Sequence, residues 1–343
     1  MIIRATNAAG FKRGTSLLGA TFALLSAASF ALNTVTARRG VVTGTPSQAM
    51  AVSVPLGVVC FALAAIVMGE IGRLADFPPT AAAWMAGVGV LHFVIGRYSN
   101  YRATKAAGAN LVSTVLHLQI VATLSLAVIV LDEPCTVLQM IGGVLIIAGS
   151  IITHQQRVRP SPAQSGQEER HVFVPRRLAG YCFATLAALA YGTSPIMARI
   201  ALADSAPGQS LLGGLIAYIA ATMVISLALL WPASRNNILA LNRDNGRWFF
   251  YSGLFVAIAQ GLFFAAVSIA PIMLVVPLLQ MSSVFLLILS RWLNPHHEVF
   301  GPMVFAGVAI SIAGALAVSI STELILDTLA IPEPIAGALR WGL

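Results

Sequence analysis

The chain has 343 residues, of which 58% are hydrophobic and 9% charged, and its mean hydropathy is +0.86. Soluble domains carry about 25% charged residues, so this chain lacks the polar surface of a water-soluble protein and is predicted to lie in a membrane. Its net charge of +8 does not indicate nucleic-acid binding, because the basic residues lie mostly between apolar runs. The three cysteines have no metal-site spacing, so neither a metal nor a cofactor is predicted.

Ten apolar runs are long enough to cross a bilayer. A helix of about 20 residues spans the hydrocarbon core and satisfies its own backbone there. The sequence therefore predicts an all-α integral membrane protein with ten transmembrane helices. The runs cover residues 15–37, 47–68, 80–98, 106–131, 134–154, 178–200, 208–231, 248–269, 271–291 and 300–320. The first run follows basic residues as a signal peptide would, but its length favours a membrane helix.

A polar stretch at 155–177, rich in arginine and proline, is predicted to be a solvated linker. It divides the chain into two halves of five runs each, at 15–154 and 178–320. The remaining residues, 321–343, form a predicted tail at the surface or outside the packed fold.

The two halves repeat each other in sequence. Residues 17–38 align with 178–199 at a shift of 161, with eight identities in 22 positions. Further equivalent positions pair Gln119 with Gln280, Glu133 with Glu298, Gly142 with Gly307, and Gly149 with Gly314. These matches indicate a duplication. Because five is an odd number, the second copy would enter the bilayer the opposite way, which predicts inverted repeats around a site near the midplane.

Each half ends in an acidic residue followed by a glycine-spaced run, and the first run of each half contains an aromatic, small and polar stretch. These stretches are Phe30-Ala31-Leu32-Asn33 and Tyr191-Gly192-Thr193-Ser194. Over about 15–320 the chain resembles the EamA-like members of the drug/metabolite transporter superfamily. The resemblance implies a secondary transporter, not an enzyme, that moves small organic metabolites such as amino acids by alternating access, in the direction of export. It also implies a bacterial inner membrane location with cytoplasmic termini, although most Lys and Arg residues would then lie on the opposite side.

The alternatives are multidrug efflux, a membrane-embedded enzyme and a lipid scramblase. None of the ten runs has an Asp or Glu in its middle, whereas related small multidrug exporters bind cations and protons on a carboxylate in the first helix. This difference disfavours cation efflux and favours neutral, zwitterionic or anionic solutes. An enzyme would need a cluster of ionisable residues at one membrane face. The one dense cluster, His296-His297-Glu298, has a simpler explanation as a helix cap.

Polar side chains within the runs are candidates for binding the solute. They are Asn33, His117, Gln119, Tyr191, Ser194, Gln260 and Gln280. His117 and Gln119 diverge by about 200° around a helix, so one of them is expected to face a given cavity. His117 could support proton coupling, or it could be a histidine packed between helices. The same two alternatives apply to His92. The repeat-equivalent amides of Gln119 and Gln280 could hold a polar solute or join neighbouring helices.

Residues at the helix ends have other predicted roles. Arg38 and Arg199 match in the repeat and could steer anions or anchor helix ends. Glu133 and Glu298 are predicted to cap the fifth and tenth helices that follow them. The glycines Gly142, Gly149, Gly307 and Gly314 are predicted to allow close helix packing.

Overall fold

The computed structural model describes residues 2–41, 44–107, 112, 115–133, 135–157, 177–203, 208–293, 302–319 and 337. Within these ranges the elements are helical throughout, so the prediction of an all-α fold is confirmed. The first half contains α1 (Ile2–Val41), α2 (Pro46–Val67), α3 (Pro79–Val88), α4 (Arg97–Ala107), α5 (Leu118–Leu131) and α6 (Val137–Arg157). The second contains α7 (Arg177–Leu202), α8 (Gln209–Ala228), α9 (Pro232–Leu239), α10 (Arg243–Ile269), α11 (Ile272–Leu279), α12 (Ser282–Leu293) and α13 (Pro302–Ser319).

Several helices have the length and composition of membrane spans. Among the described residues these are Leu17–Ala37, Pro46–Val67, Pro79–Ala103, Gln209–Ala228 and Arg243–Ile269. Shorter apolar helices cover Leu118–Leu131, Val137–Gly149, Ile272–Leu286 and Phe305–Ala317. Large apolar side chains such as Val67 and Leu178 are exposed on the outside of the bundle. An apolar exterior of this kind is the surface that a lipid-embedded protein presents.

The third helix is longer than the sequence predicted. The apolar run ends near residue 98, but α3 continues through a π-helical segment, Gly89–Gly96, directly into α4. Arg97, Asn100 and Tyr101 therefore lie on a helix, and all three line an interior cavity. The helix can continue here because its backbone groups are satisfied and its polar side chains point into the bundle instead of into lipid.

A break interrupts the chain between α10 and α11. Ala270 has an extended backbone (φ −132°, ψ 153°), and Pro271 follows it. Proline cannot donate the hydrogen bond that a continuing helix needs, and it pushes the residue before it out of the helical region. The break leaves free carbonyl groups at the end of α10 and free N–H groups at the start of α11.

Helices that are equivalent in the repeat cross antiparallel. A Cβ atom placed on Gly314 of α13 would lie 2.5 Å from the carbonyl oxygen of Gly142 in α6. One placed on Gly149 of α6 would meet the carbonyl oxygen of Gly307 in α13. Gly142 thus contacts Gly314, the repeat equivalent of Gly149, and Gly149 contacts Gly307, the repeat equivalent of Gly142. Two elements related by a two-fold axis make this reciprocal pattern of contacts. The backbones of α6 and α13 can approach this closely because the glycines at the crossing carry no side chains.

The first helix of one half packs along the third long helix of the other. The Ser26 hydroxyl of α1 donates to the carbonyl oxygen of Ala259 in α10 at 2.7 Å. Seven residues further along α1, the Ser252 hydroxyl of α10 donates to Asn33 Oδ1 at 2.6 Å. Residue numbers rise along α1 as they fall along α10, so these two helices are also antiparallel. The two halves are therefore interleaved and share one interior.

Candidate functional site

A polar cavity of about 420 Å³ lies where the two halves meet. Its wall includes residues of α1, α2, α4 and α5 from the first half and of α7, α10, α11 and α12 from the second. Its polar side chains include those of Asn33, Ser53, His92, Arg97, Gln119, Tyr191, Ser252, Gln260 and Gln280. Pockets of about 300–1,000 Å³ suit small organic ligands, so this central cavity is the candidate site.

The packing of α1 against α10 fixes one wall of the cavity. Asn33 accepts the hydrogen bond from Ser252, and both side chains line the cavity. The Asn33 amide nitrogen remains available as a donor, because its oxygen is the atom engaged by Ser252. This wall therefore offers an oriented N–H donor to a bound solute.

A hydrogen-bonded chain centred on His92 forms another part of the cavity wall. His92 lies in the π-helical segment Gly89–Gly96, a type of distortion that is frequent at functional sites. Its Nδ1 is 2.7 Å from the Ser194 hydroxyl, and its Nε2 is 3.3 Å from the Gln260 amide nitrogen. Both ring nitrogens of His92 are thus engaged, one by a hydroxyl group and one by a side-chain amide. The Ser194 hydroxyl in turn donates to the carbonyl oxygen of Tyr191 at 3.3 Å.

Arg97 begins α4 and carries the one formal charge among the described residues of the cavity wall. Its Nη1 donates to the Ser53 hydroxyl at 3.2 Å. Its guanidinium carbon lies 5.6 Å from the centre of the Phe93 ring, within the range of a cation–π contact. The structure thus places a cation, amides and hydroxyls around one interior cavity.

The two repeat-equivalent amides, Gln119 and Gln280, both line the cavity. Gln119 belongs to the first turn of α5, and Gln280 follows the last residue of α11. Gln119 lies where α5 packs closely against α7. At this contact Thr123 of α5 donates to the carbonyl oxygen of Gly192 in α7 at 2.8 Å. The sequence repeat therefore identified two positions that reach the same interior.

The other predicted binding residues lie around the cavity. Ser194 contacts His92, and His92 lines the cavity. His117 precedes α5, is half-buried, and is not among the residues that form the described wall, whereas Gln119 is. One of these two side chains was expected to face the cavity, and Gln119 is the one that does. The side chain of Arg38 lies outside the described residues.

Glu133 and Arg199 form a pair at the break between α10 and α11, which we call the helix-end clasp. Glu133 is buried, with 8% of its surface exposed, and its carboxylate accepts hydrogen bonds from the backbone N–H groups of Ile272 and Met273, each at 3.0 Å. Arg199 donates to the carbonyl oxygen of Val267 at 2.6 Å. The Arg199 Nε atom lies 3.8 Å from Glu133 Oε1. The anion thus meets the positive end of α11 and the cation meets the negative end of α10.

This geometry corrects the cap predicted for Glu133. The sequence placed Glu133 at the start of the next helix, α6, but that helix is capped by Thr136 and Gln139. The Gln139 backbone N–H donates to the Thr136 hydroxyl at 3.3 Å, and the Thr136 N–H donates to the Gln139 side chain at 3.1 Å. With α6 already capped, Glu133 caps α11 in the other half. Glu298, its repeat equivalent, lies outside the described residues.

Sequence reasoning missed Arg97 as a site residue, because Arg97 lies at the end of the third run, 80–98, where polar residues interrupt the apolar sequence. The available signal was an arginine inside an otherwise apolar segment, which is costly in lipid and therefore marks an interior position. Ser53 and Ser252 were also missed. Single serines in apolar helices are common, so no sequence signal separated these two from the rest.

A second cleft, of about 400 Å³, lies between α5, α6 and α11. Its wall is mainly apolar and contains no charged side chain among the described residues. Its walls include Val121, Val144 and Met273. Its polar side chains are those of Ser125 and Gln139, and its described wall contains no arginine or histidine.

Comparison with known proteins agrees with this architecture. A solved crystal structure with 15% sequence identity covers 89% of this chain and 95% of its own, with a TM-score of 0.65, which establishes a shared fold. No curated protein sequence matches the chain. The sequence model of the EamA-like transporter family matches twice, at residues 17–154 and 178–320. The chain therefore belongs to the EamA-like transporter family, in the drug/metabolite transporter superfamily.

Proposed function

We propose that the protein is a secondary transporter that exports small organic metabolites, such as amino acids, across a bacterial inner membrane by alternating access. The observation that carries this proposal is the polar cavity enclosed by helices from both halves. Secondary transporters built from repeats hold their solutes at such an interface and expose the site to each side in turn by rocking one bundle against the other.

An inverted arrangement of ten spanning helices is part of the proposal. It is supported by the antiparallel crossing of the equivalent helices α6 and α13, at Gly142–Gly314 and Gly149–Gly307. Two copies inserted the same way would place equivalent helices parallel. The proposal puts both termini in the cytoplasm, and impermeant labelling of cysteines introduced at the two ends of each span would test this topology.

The chemistry of the cavity wall favours metabolite transport over multidrug efflux. A carrier of organic cations needs a buried anion, but the described wall contains no Asp or Glu. Scramblase activity would need polar groups along a lipid-facing path, whereas the lipid-side cleft at Val121 and Val144 is mainly apolar. A small solute with hydrogen-bonding groups fits the central cavity best.

Solute exchange in proteoliposomes tests the proposed function. Purified protein would first be screened for thermal stabilisation by amino acids, organic acids, nucleosides, sugars and organic cations. Each stabilising solute would then be loaded inside vesicles, and uptake of its labelled form would be followed. A carrier accelerates uptake when unlabelled solute is present on the opposite side. Uptake that is insensitive to internal solute, or equal to that of empty vesicles, would contradict the proposal.

Proton coupling through His117 is a separate part of the proposal. It predicts that transport by the wild type rises with an imposed proton gradient and that transport by His117→Ala does not. Equal transport by both proteins across a pH range would remove His117 from the mechanism and leave the cavity assignment standing.

A further inference from the structure

Arg97 is placed where an arginine needs an anionic partner. It lies inside the apolar span Pro79–Ala103, and its side chain lines the central cavity. A charged side chain at membrane depth is costly and normally pairs with another charge or marks the path of a solute. The position of Arg97 therefore requires an account of what compensates its charge.

The partners of Arg97 within the described structure carry no negative charge. They are the Ser53 hydroxyl, at 3.2 Å, and the face of the Phe93 ring, at 5.6 Å. The buried carboxylate of Glu133 is engaged by Arg199 and by the start of α11. The other described carboxylates, those of Glu70, Asp76, Asp132 and Asp244, are not part of the described cavity wall. The positive charge of Arg97 thus stays uncompensated by the described side chains of the cavity.

We propose that Arg97 binds a carboxylate group of the transported solute, so that the protein carries small organic monocarboxylates or zwitterions in preference to amines. This inference rests on the transport function proposed above and assigns the charge of its solute. The planar guanidinium fork matches a carboxylate with two parallel hydrogen bonds. Its single charge is balanced by a monoanion, whereas a doubly charged phosphate would need further cations.

The rest of the wall suits the neutral part of such a solute. The amides of Asn33, Gln119 and Gln280 offer donors and acceptors, and the rings of Phe30 and Tyr101 offer apolar faces. The described wall has no carboxylate to pair with an ammonium group, so a solute with an amine and no carboxylate would meet Arg97 without compensation. Discrimination thus comes from the repulsion of cations as well as the attraction of anions.

The test uses exchange in proteoliposomes with solutes that share one skeleton and differ in their head groups. On the leucine skeleton these are 4-methylpentanoate, L-leucine, L-leucinamide and isoamylamine. On the phenylalanine skeleton they are 3-phenylpropionate, L-phenylalanine, L-phenylalaninamide and phenethylamine. The wild type is expected to exchange carboxylates of at least one skeleton and to exchange the corresponding amide and amine at least 10-fold less well.

Three variants assign the effect to Arg97. Arg97→Gln is expected to raise the KM for the exchanged carboxylate by roughly 10- to 100-fold, the worth of a hydrogen bond to a charged group. Arg97→Lys keeps the charge without the fork and is expected to lie between the wild type and Arg97→Gln. The matched control is Arg247→Gln, because Arg247 is exposed, lies 5.7 Å from the Trp248 ring and is outside the cavity wall. This control is expected to transport like the wild type.

The possible outcomes separate the two proposals. Equal or better exchange of amides or amines overturns the carboxylate assignment while transport itself stands. Exchange of carboxylates that is unchanged in Arg97→Gln overturns the role of Arg97. Absence of exchange for both skeletons contradicts this inference and counts against the proposed metabolite transport as well. If Arg97→Gln does not elute as a folded protein, the comparison of Arg97→Lys with the wild type decides, and an equal carboxylate KM in those two proteins overturns the guanidinium contact.

Discussion

Two arginines in the helical bundle have opposite surroundings. Arg199, in the helix-end clasp, has a carboxylate at 3.8 Å and a backbone carbonyl oxygen at 2.6 Å. Arg97, in the central cavity, has a hydroxyl and an aromatic ring. The clasp satisfies its charges within the protein and joins the ends of two helices, whereas the cavity leaves a cation facing an open volume. We infer from this difference that local pairing separates an arginine that holds the fold from one that is available to a ligand.

The largest expected effect on stability comes from removing Arg199. Arg199→Gln leaves the Glu133 carboxylate buried without its cation and the end of α10 without its donor. We expect a loss of about 3 kcal/mol in the free energy of unfolding, measured by denaturation in detergent. Arg97→Gln is expected to cost less, because it removes a charge that no described carboxylate compensates.

Arg73→Gln is the control for the variants Arg199→Gln and Arg97→Gln. Arg73 contacts Glu70 at 3.3 Å, but its side chain is 59% exposed, so the pair is worth less than about 1 kcal/mol. Equal losses in Arg199→Gln and Arg97→Gln would contradict the division between a structural and a ligand-binding arginine.

The glycine crossing between α6 and α13 is expected to respond like the clasp, through stability. A Cβ at Gly149 would overlap the carbonyl oxygen of Gly307 and lie 2.7 Å from the backbone nitrogen of Ser311. Because these are backbone atoms, the helices must separate, and Gly149→Ala should cost about 1–3 kcal/mol. Gly143→Ala is a control on the same helix, since its Cβ would lie 3.7 Å from Leu124, an ordinary contact. A thermal melt that shows equal losses for both variants would rule out this close crossing.

The cavity amides are expected to respond through transport. Gln119→Leu and Gln280→Leu each remove one polar group from the wall and should each raise the KM for the exchanged solute roughly 5- to 10-fold. Their melting temperatures should stay close to that of the wild type. His117→Gln, two positions from Gln119, should leave the KM unchanged at a fixed pH. The opposite result, a raised KM in His117→Gln alone, would place the solute elsewhere.

The smallest effect is expected at Tyr218, in the packed core beside the cavity. Its ring stacks on Phe93, with centroids 4.3 Å apart, and its buried hydroxyl has no hydrogen-bond partner in the described part of the chain. A buried hydroxyl without a partner is destabilising, so Tyr218→Phe should leave the melting temperature unchanged or raise it. A marked fall in the melting temperature would contradict this expectation and indicate that the hydroxyl has a partner.

Hydropathy and the repeat predicted much of the fold. Apolar runs indicated helices because lipid leaves the backbone no other way to satisfy its hydrogen bonds. The shift between Gly142 and Gly307 indicated the duplication, and the two matches to the family confirm the family membership. Hydropathy placed the end of the third helix too early. The polar residues Arg97 and Asn100 resemble a loop in the sequence, because the interior cavity that receives their side chains is evident only in the structure.

The site was less predictable than the fold. The repeat indicated Gln119 and Gln280, which both reach the cavity. The roles of Glu133 and Arg199 depend on the break between α10 and α11, which is distant in sequence from both residues. A capping partner in the other half cannot be deduced from local spacing, because the shortest local explanation places Glu133 on its own helix.

Protection of a cavity cysteine by a bound solute tests whether the central cavity is the transport site. Ser252→Cys would be placed in the cavity wall and Ser226→Cys at the exposed end of α8, each in a protein whose Cys60, Cys135 and Cys182 are replaced. The rate of labelling by a small thiol reagent would be measured with and without a solute that the protein exchanges. The account predicts that the solute slows labelling at position 252 and leaves position 226 unaffected. Equal labelling rates at position 252 with and without a saturating solute would contradict the assignment of this cavity as the transport site.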